Sequence, residues 1–280
     1  MKQLKRFLVI TNELKPETEP CAKRLMEYIS GKGCFSKHVS NEDDYENGKI
    51  KPELLTANDC IIVLGGDGTM LKVAHAVSPC EIPVIGINFG TIGFLTGVSE
   101  ARIIEMADRL ISGDYLIEDR MMLSGSVNGE VHDALNDIVI SRTRIIKLIA
   151  LKIFVNDMFF DEYEADGVIV STPTGSTGYN LSAGGPIASP KSNLIILTPL
   201  APYSLSKKSV VLDPGDRIRI CLLEKRKLQE SHATVAFDGN ENIDIEADDT
   251  VDISVSAHTL KLISFGNVNF YERLRKKIGN

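Results

Sequence analysis

The sequence has no C-x-x-C pair and no even set of cysteines. Its five, Cys21, Cys34, Cys60, Cys80 and Cys221, are scattered along the chain. That argues against a disulfide framework or a zinc knot and points to free thiols in a reducing cytoplasm. The five histidines lack metal-ligand spacing, with no H-E-x-x-H and no paired His. They read as surface or hydrogen-bonded side chains, and no protein metal site is expected. No apolar run reaches the ~20 residues that cross a bilayer, so no membrane association is expected. The opening MKQLKRFLVITNE is basic and then apolar, but the run ends at Thr11-Asn12-Glu13 without a small-residue cleavage site. It reads as a first buried strand and not as a signal peptide. A stripe of Lys and Arg is missing too, and the net charge is -7. Such a chain is a poor candidate for a nucleic-acid binder. Its one basic cluster, Arg142, Arg144, Lys147 and Lys152, reads as a solvated edge from which a single lysine could still meet a phosphate.

What is present is enough for two domains: 280 residues, 43% hydrophobic and 25% charged. Residues 1–115 alternate strand and helix signals. Phe7–Ile10, Cys60–Leu64 and Pro83–Ile87 are short β runs, and Cys60–Leu64 does not alternate, as a strand buried on both faces would not. Helical spacing marks 17–30, with Gly31 as C-cap, then 69–78, and then 99–111 with Ser99 as cap and Gly113 past the end. The polar stretch 41–50 reads as an exposed loop. This order implies an α/β domain, Rossmann-like, with a parallel sheet. From 116 to 267 the pattern becomes short β runs with turn signals, Asn128-Gly129 and Asn156-Asp157 among them. Runs at 194–198, 209–212, 217–223, 251–255 and 259–264 predict an antiparallel β-sandwich domain. Residues 268–280 look helical again and are expected to pack back on the first domain.

Two stretches carry chemistry. In the first, Ile61–Leu64 runs into Gly65-Gly66-Asp67-Gly68-Thr69 and then a helix. A parallel sheet binds ligands beyond the carboxyl ends of its strands. Glycines there let a ligand approach the backbone, and the helix start offers N–H groups that suit phosphate. Asp67 is out of place beside phosphate unless it takes a proton or holds a metal; the plain alternative is a helix cap. Lys72, one turn on, is either a phosphate contact or an exposed helix lysine. A second glycine-rich stretch, Asn88–Leu95, also follows a strand, and its Phe94 is either a stacking face for a base or core.

The second is E-A-D-G-V-I-V-S-T-P-T-G-S-T-G-Y-N-L-S-A-G-G-P at 164–186. A strand, Gly167–Ser171, delivers a loop dense in hydroxyls and glycines, suited to a polar ligand with sugar and phosphate groups. Tyr179 either stacks on a base or anchors the loop. Upstream, Asn136-Asp137 interrupts the apolar run Ala134–Ser141. Buried polar groups need partners, so the pair either grips a ribose diol or marks an edge bulge.

Taken together, G-G-D-G-T at 65–69, G-x-N-x-G-x-x-G-F-L at 86–95, A-L-N-D at 134–137 and the long motif at 166–186 resemble the NAD kinase family in its bacterial branch. The resemblance covers nearly the whole chain. It implies transfer of a phosphoryl group from ATP or polyphosphate to the 2′-hydroxyl of the adenosine ribose of NAD, with Mg²⁺ or another divalent cation mainly on the donor phosphates. It also implies a cytoplasmic homodimer or homotetramer. By the same resemblance Asp67 is the proton acceptor, Gly68 and Thr69 line the phosphate turn, and Phe94 lies beside the adenine. Asn136 and Asp137 hold ribose hydroxyls. Asp166 and the loop Thr177, Gly178, Tyr179, Asn180, Leu181 and Ser182 contact adenine or nicotinamide. Lys72, Lys147 and Ala201 fall at nucleotide-contacting positions. Gly178 stands where many relatives have Ala. Glu164 replaces an Arg of some relatives at a position tied to NAD against NADH preference. Tyr203 stands where His is common. The alternatives are a lipid kinase sharing only G-G-D-G-T and a non-catalytic NAD-binding sensor.

Overall fold

The computed structural model describes residues 1–12, 14–39, 44–46, 49–90, 93–144, 147–224, 232–266 and 270–278. Internal contacts divide the chain into two compact units, Met1–Asp119 with Thr259–Asn280, and Arg120–His258.

The first unit runs β1 (Arg6–Thr11), α1 (Thr18–Gly31), β2 (Phe35–Val39), the short β3 (Tyr45–Glu46) and β4 (Lys49–Ile50), and α2 (Pro52–Thr56). It continues with β5 (Cys60–Gly65), α3 (Asp67–Val77), β6 (Val84–Asn88), β7 (Val98–Ser99) and α4 (Ile103–Ser112). The strands lie in the order β2-β1-β5-β6, all parallel. β5 is buried from end to end, which explains why its sequence does not alternate. In α4 the residues Ile103, Met106, Ala107 and Leu110 recur at helical spacing and form one apolar stripe. That stripe joins Cys21, Ala22, Leu25 and Ile29 of α1 in the same core as Phe7, Val9, Ile62 and Leu64 of the sheet. All five cysteines are free, and burial pushes the Cys60 thiol well above its usual range. Among the described residues, no helix is long and apolar enough to cross a membrane.

The second unit begins within β8 (Leu116–Val127) and continues with β9 (Glu130–Ala134), β10 (Asp137–Arg142), β11 (Ile149–Val155), β12 (Met158–Ala165) and β13 (Gly167–Ser171). It goes on through α5 (Tyr179–Ser182), β14 (Ile195–Leu200), β15 (Val210–Leu212), β16 (Ile218–Leu223), β17 (His232–Phe237), β18 (Glu241–Glu246) and most of β19 (Thr250–Ser264). One antiparallel sheet has the order β15-β14-β13-β10-β17-β18. A second, also antiparallel here, has β12-β11-β16-β19. Alternate residues of both, such as Ile138, Ile140, Val168, Val170 and Leu197 from one and Ile149, Leu151, Ile153, Ile220 and Val251 from the other, meet in one core. That is the expected sandwich. Asn128-Gly129 and Asn156-Asp157 turn with positive φ at both residues, as tight hairpins require. The end of β19 and α6 (Phe270–Ile278) belong to the first unit.

Five local expectations change. The left-handed residue after α1 is Gly33, at φ +74°, and Gly31 is still helical. Within 41–50, Tyr45–Glu46 pairs with Lys49–Ile50, and Asp44 and Ile50 are buried; 41–43 and 47–48 lie outside the described residues. α3 begins at Asp67, so Asp67 is its first residue and Gly66 the cap position. Asn136 sits in the bend between β9 and β10, not inside a strand. The runs 251–255 and 259–264 form one strand, because Ser256 and His258 continue the extended chain. Of the predicted stretches 88–95 and 268–280, residues 91–92, 268–269 and 279–280 are outside the described residues.

Gly86 lets β6 pass close to two neighbours: a Cβ there would stand 2.9 Å from the Met70 sulfur and 3.1 Å from the Thr96 Cα. Gly86→Ala is expected to destabilise the protein by ~1–3 kcal/mol in urea unfolding. Gly31→Ala, where a Cβ meets nothing, is expected to be neutral or stabilising.

Candidate functional site

In the first unit β5 ends at Gly65, and α3 starts at once with Asp67. Asp67 does not cap its own helix; no side-chain cap bond is made. Its carboxylate turns to the loop after β6. Oδ2 accepts the N–H of Phe94 at 2.7 Å, and Oδ1 accepts those of Leu95 at 3.0 Å and Thr96 at 3.3 Å. The loop can wrap the carboxylate only because residue 93 is glycine: a Cβ there would stand 2.1 Å from Oδ1. Asn88, at the end of β6, accepts from the Thr96 hydroxyl at 3.2 Å and so fixes the far side of the same loop. The Arg273 guanidinium of α6 donates to the carbonyls of Gly93 at 3.2 Å and Phe94 at 2.9 Å. The loop is thus held by its N–H groups from one element and by its carbonyls from another.

Gly66 and Gly68 differ from Gly93. A Cβ on either would meet nothing within 4 Å, so internal packing does not explain them. They leave bare backbone on each side of Asp67, at the end of a helix where N–H groups and dipole favour anions. Thr69 receives a hydrogen bond from Asn12 at 3.0 Å, and Lys15 donates to the Phe89 carbonyl. Lys72 is exposed. Phe94 is half-buried, with the Lys277 ammonium 4.6 Å over its ring and Phe270 at 6.0 Å between centroids.

In the second unit the bend 135–137 is gripped from both sides. Thr172 donates its N–H to the Asn136 carbonyl at 2.9 Å and its hydroxyl to that of Leu135 at 2.6 Å. The same hydroxyl accepts the Gly175 N–H at 3.0 Å. Gly175 lies so close that a Cβ would stand 2.0 Å from the Asn136 carbonyl oxygen. From the other side, the Asp238 carboxylate accepts the N–H groups of Leu135 and Asn136, each at 2.7 Å, and of Asp137 at 3.0 Å. The side chain of Asn136 is half-buried, and Asp137 is only 6% exposed. The Asp137 carboxyl accepts no hydrogen bond among the described residues. Burial and then the Asp238 charge push it up to about 7.

The long loop builds itself from its own polar groups. Ser176 donates to the Pro173 carbonyl at 2.7 Å and accepts the Ala188 N–H at 3.0 Å. Asn180 is fully buried and bonds the carbonyls of Ser176 and Pro186 and the hydroxyl of Thr198. Thr177, Gly178 and Leu181 are half-buried, while Tyr179 and Ser182 are exposed. Gly178 borders the pair: a Cβ there would lie 3.8 Å from Asn136 Nδ2 and from Asp137 Oδ2. Asp166 is paired with Arg142 at 2.7 Å. Glu164 and Lys147 are half-buried, and Ala201 is exposed at φ +40°. Among the described residues, no group of three or more His, Cys, Asp or Glu side chains could hold a metal ion.

Sequence reasoning missed Asn12, Lys15, Thr172 as a clamp, Asp238 and Arg273. For Asp238 a signal existed: Val235-Ala236-Phe237-Asp238-Gly239 repeats the apolar-run-then-Asp-Gly pattern of 61–68.

Two family models match the chain: ATP-NAD kinase N-terminal domain over residues 7–115 and ATP-NAD kinase C-terminal domain over 135–265. An NAD kinase of Agathobacter rectalis is 40% identical over 281 residues, covering 99% of each chain. The crystal structure of an NAD kinase from Archaeoglobus fulgidus in complex with ATP superposes with a TM-score of 0.77 at 27% identity, covering 98% of this chain and 97% of that one. A yeast NADH kinase complexed with NADH shares the fold, with a TM-score of 0.85 at 22% identity over 100% of this chain and 89% of that one. The match over 135–265 sets aside the lipid-kinase alternative, which rested on G-G-D-G-T alone.

The raised Asp137 has a consequence for stability. Its folded-state value, about 7, lies above the ordinary 3.8, so the folded state binds the extra proton between these values. The stabilisation is complete below the lower value and lost as pH rises through the upper one. Asp137→Asn is therefore expected to gain stability relative to wild type across that window, with the difference levelling off above it. Urea unfolding over a pH series measures this; parallel curves for the two proteins would contradict it.

Proposed function

The chain belongs to the NAD kinase family, and we propose how its own residues carry that family's reaction, phosphorylation of the 2′-hydroxyl of the adenosine ribose of NAD to give NADP. We take ATP as the phosphoryl donor, with polyphosphate as a possible second donor; the ATP complex of the related archaeal kinase favours ATP. The observation that carries the reading is the state of Asp67. A carboxylate offers about four lone-pair positions. Three backbone N–H groups occupy one on Oδ2 and two on Oδ1, which locks the group and leaves one acceptor position on Oδ2. A fixed, half-buried carboxylate with one open position is what a hydroxyl needs when its proton must leave in one direction.

Aspartate is too weak a base to ionise a ribose hydroxyl beforehand. In our reading Asp67 accepts the proton as the new P–O bond forms, in a loose transition state where positioning and charge neutralisation supply most of the catalysis. The bare backbone at Gly68 and the start of α3 at Thr69 receive donor phosphate oxygens, with Lys72 as a further cation. A divalent cation, Mg²⁺ or another, would neutralise charge on those phosphates when bound.

The acceptor nucleotide is held by the second unit's residues. Asn136 and Asp137 take the ribose hydroxyls: the Asp137 carboxyl is buried and accepts no hydrogen bond from the described residues, so a hydroxyl donor would relieve it. Asp166, Glu164 and the stretch Thr177–Ser182 contact the base and nicotinamide ends, with Lys147 and Ala201 beside them, and Phe94 meets the adenine. Glu164, an acid where some relatives have Arg, bears on NAD against NADH preference. The working form is a cytoplasmic homodimer or homotetramer.

Asp67→Asn tests the base. NADP formation from NAD, ATP and Mg²⁺, read with an NADP-specific dehydrogenase, should fall in kcat by ~10²–10⁴-fold. NAD binding, read by calorimetry, should remain. Turnover equal to wild type would remove Asp67 from the mechanism.

A further inference from the structure

We propose that Asp238 positions Asn136 and Asp137 for the nucleotide, its carboxylate holding the backbone of the bend from which both side chains project. The proposal rests on the reading that this pair grips the ribose. Between β9, which pairs with β8, and β10, which pairs with β13 and β17, Leu135 and Asn136 belong to no strand. The N–H groups there would otherwise lack partners, at a cost comparable to lost hydrogen bonds. Asp238 takes all three, from Leu135, Asn136 and Asp137, at 2.7, 2.7 and 3.0 Å. Its own N–H returns a bond to the Asp137 carbonyl at 3.0 Å, so the two aspartates are tied in both directions. On the opposite side the Asn136 carbonyl is fixed by Thr172. With the backbone clamped from two elements, the side chains of Asn136 and Asp137 remain for a ligand.

Asp238 also acts by charge. Asp137 lies beside Ser171 of β13 in register, beside Gly178 of the loop, and beside Asp238 at the end of β17. Only Asp238 among these facing residues is titratable, and its charge adds to burial in raising the Asp137 carboxyl. A protonated Asp137 can donate to a ribose oxygen and an ionised one can only accept. The affinity for NAD should therefore change with pH near neutrality, and Asp238 should set where.

The experiment is steady-state NADP formation by the full chain over a pH series, with KM for NAD and for ATP determined separately. Asp238→Asn keeps the shape, but its amide must present donors where one carboxylate oxygen received an N–H, and it removes the charge. It should raise KM for NAD by roughly tenfold or more, leave KM for ATP within about twofold, and move the pH midpoint of KM for NAD lower. Asp238→Glu keeps the charge but displaces the carboxylate; it should raise KM for NAD and leave that midpoint in place. A wild-type KM for NAD and pH profile in Asp238→Asn overturns the proposal. So does a fall in melting temperature with kcat and both KM values changing alike and the midpoint unmoved, since that is a purely structural role. If Asp238→Asn does not fold, hydrogen exchange in the wild type decides. The amides of Leu135, Asn136 and Asp137 should be protected like those of β10, and exchange at open-loop rates overturns the idea. Asn136→Ala and Asp137→Ala separate the two readings. If they leave KM for NAD unchanged, the ribose grip itself fails; if they raise it and Asp238→Asn does not, only the positioning role fails.

Discussion

A carboxylate that receives three successive backbone N–H groups is the interaction on which both units depend. Asp67 does this for Phe94, Leu95 and Thr96, and Asp238 for Leu135, Asn136 and Asp137. The pattern is the same in each: Oδ2 takes the first N–H and Oδ1 the next two. Hydrogen bonds to an ionised acceptor are roughly twice as strong as neutral ones. In each loop one charged side chain from elsewhere in the sequence thus holds three successive N–H groups, while other residues hold the far side. In both cases the aspartate follows the end of a strand, β5 buried throughout and β17 buried at alternate residues, and precedes a glycine. The two carboxylates differ in what surrounds them. Asp67 sits between glycines with open space, whereas the charge of Asp238 is turned toward another acid.

The fold class was legible because its signals are periodic. An unbroken apolar run marks β5, a stripe at helical spacing marks α4, and short β runs divided by turn signals mark the sandwich strands. The boundaries that moved are those governed by single contacts. α3 starts two residues early because Gly66 already takes the cap geometry, and β19 runs through an expected break because residues 256–258 keep extended dihedrals. A glycine-rich turn marked Asp67, and a polar pair interrupting an apolar run marked Asn136 and Asp137. What sequence could not display is the partner of each. Asp238 lies 101 to 103 residues from the amides it binds, and Arg273 lies 179 and 180 from its carbonyls. No spacing rule links positions so far apart.

The run 172–188 also has an internal task. A run of hydroxyls and glycines suggests ligand contacts, yet Thr172, Ser176 and Asn180 are buried and bonded within the protein. A loop this short of apolar residues must satisfy its backbone with its own side chains before it can present anything outward. Tyr179 and Ser182 are exposed, and Thr177 is half-buried, on the internal scaffold that these bonds build.

The first unit is not one continuous stretch of chain. Its residues 1–119 are joined by 259–280, and β6 finds its β19 partner only where Leu262 lies opposite Val84. A ribosome makes residues 120–258 in between. The parallel sheet that carries Asp67 has β7 beside the end of β6 from the start, but it lacks the β19 segment opposite Val84 until the whole sandwich has been synthesised. Domains commonly fold from the N-terminal end as they emerge; here the unit begun first is the one whose residues are completed last.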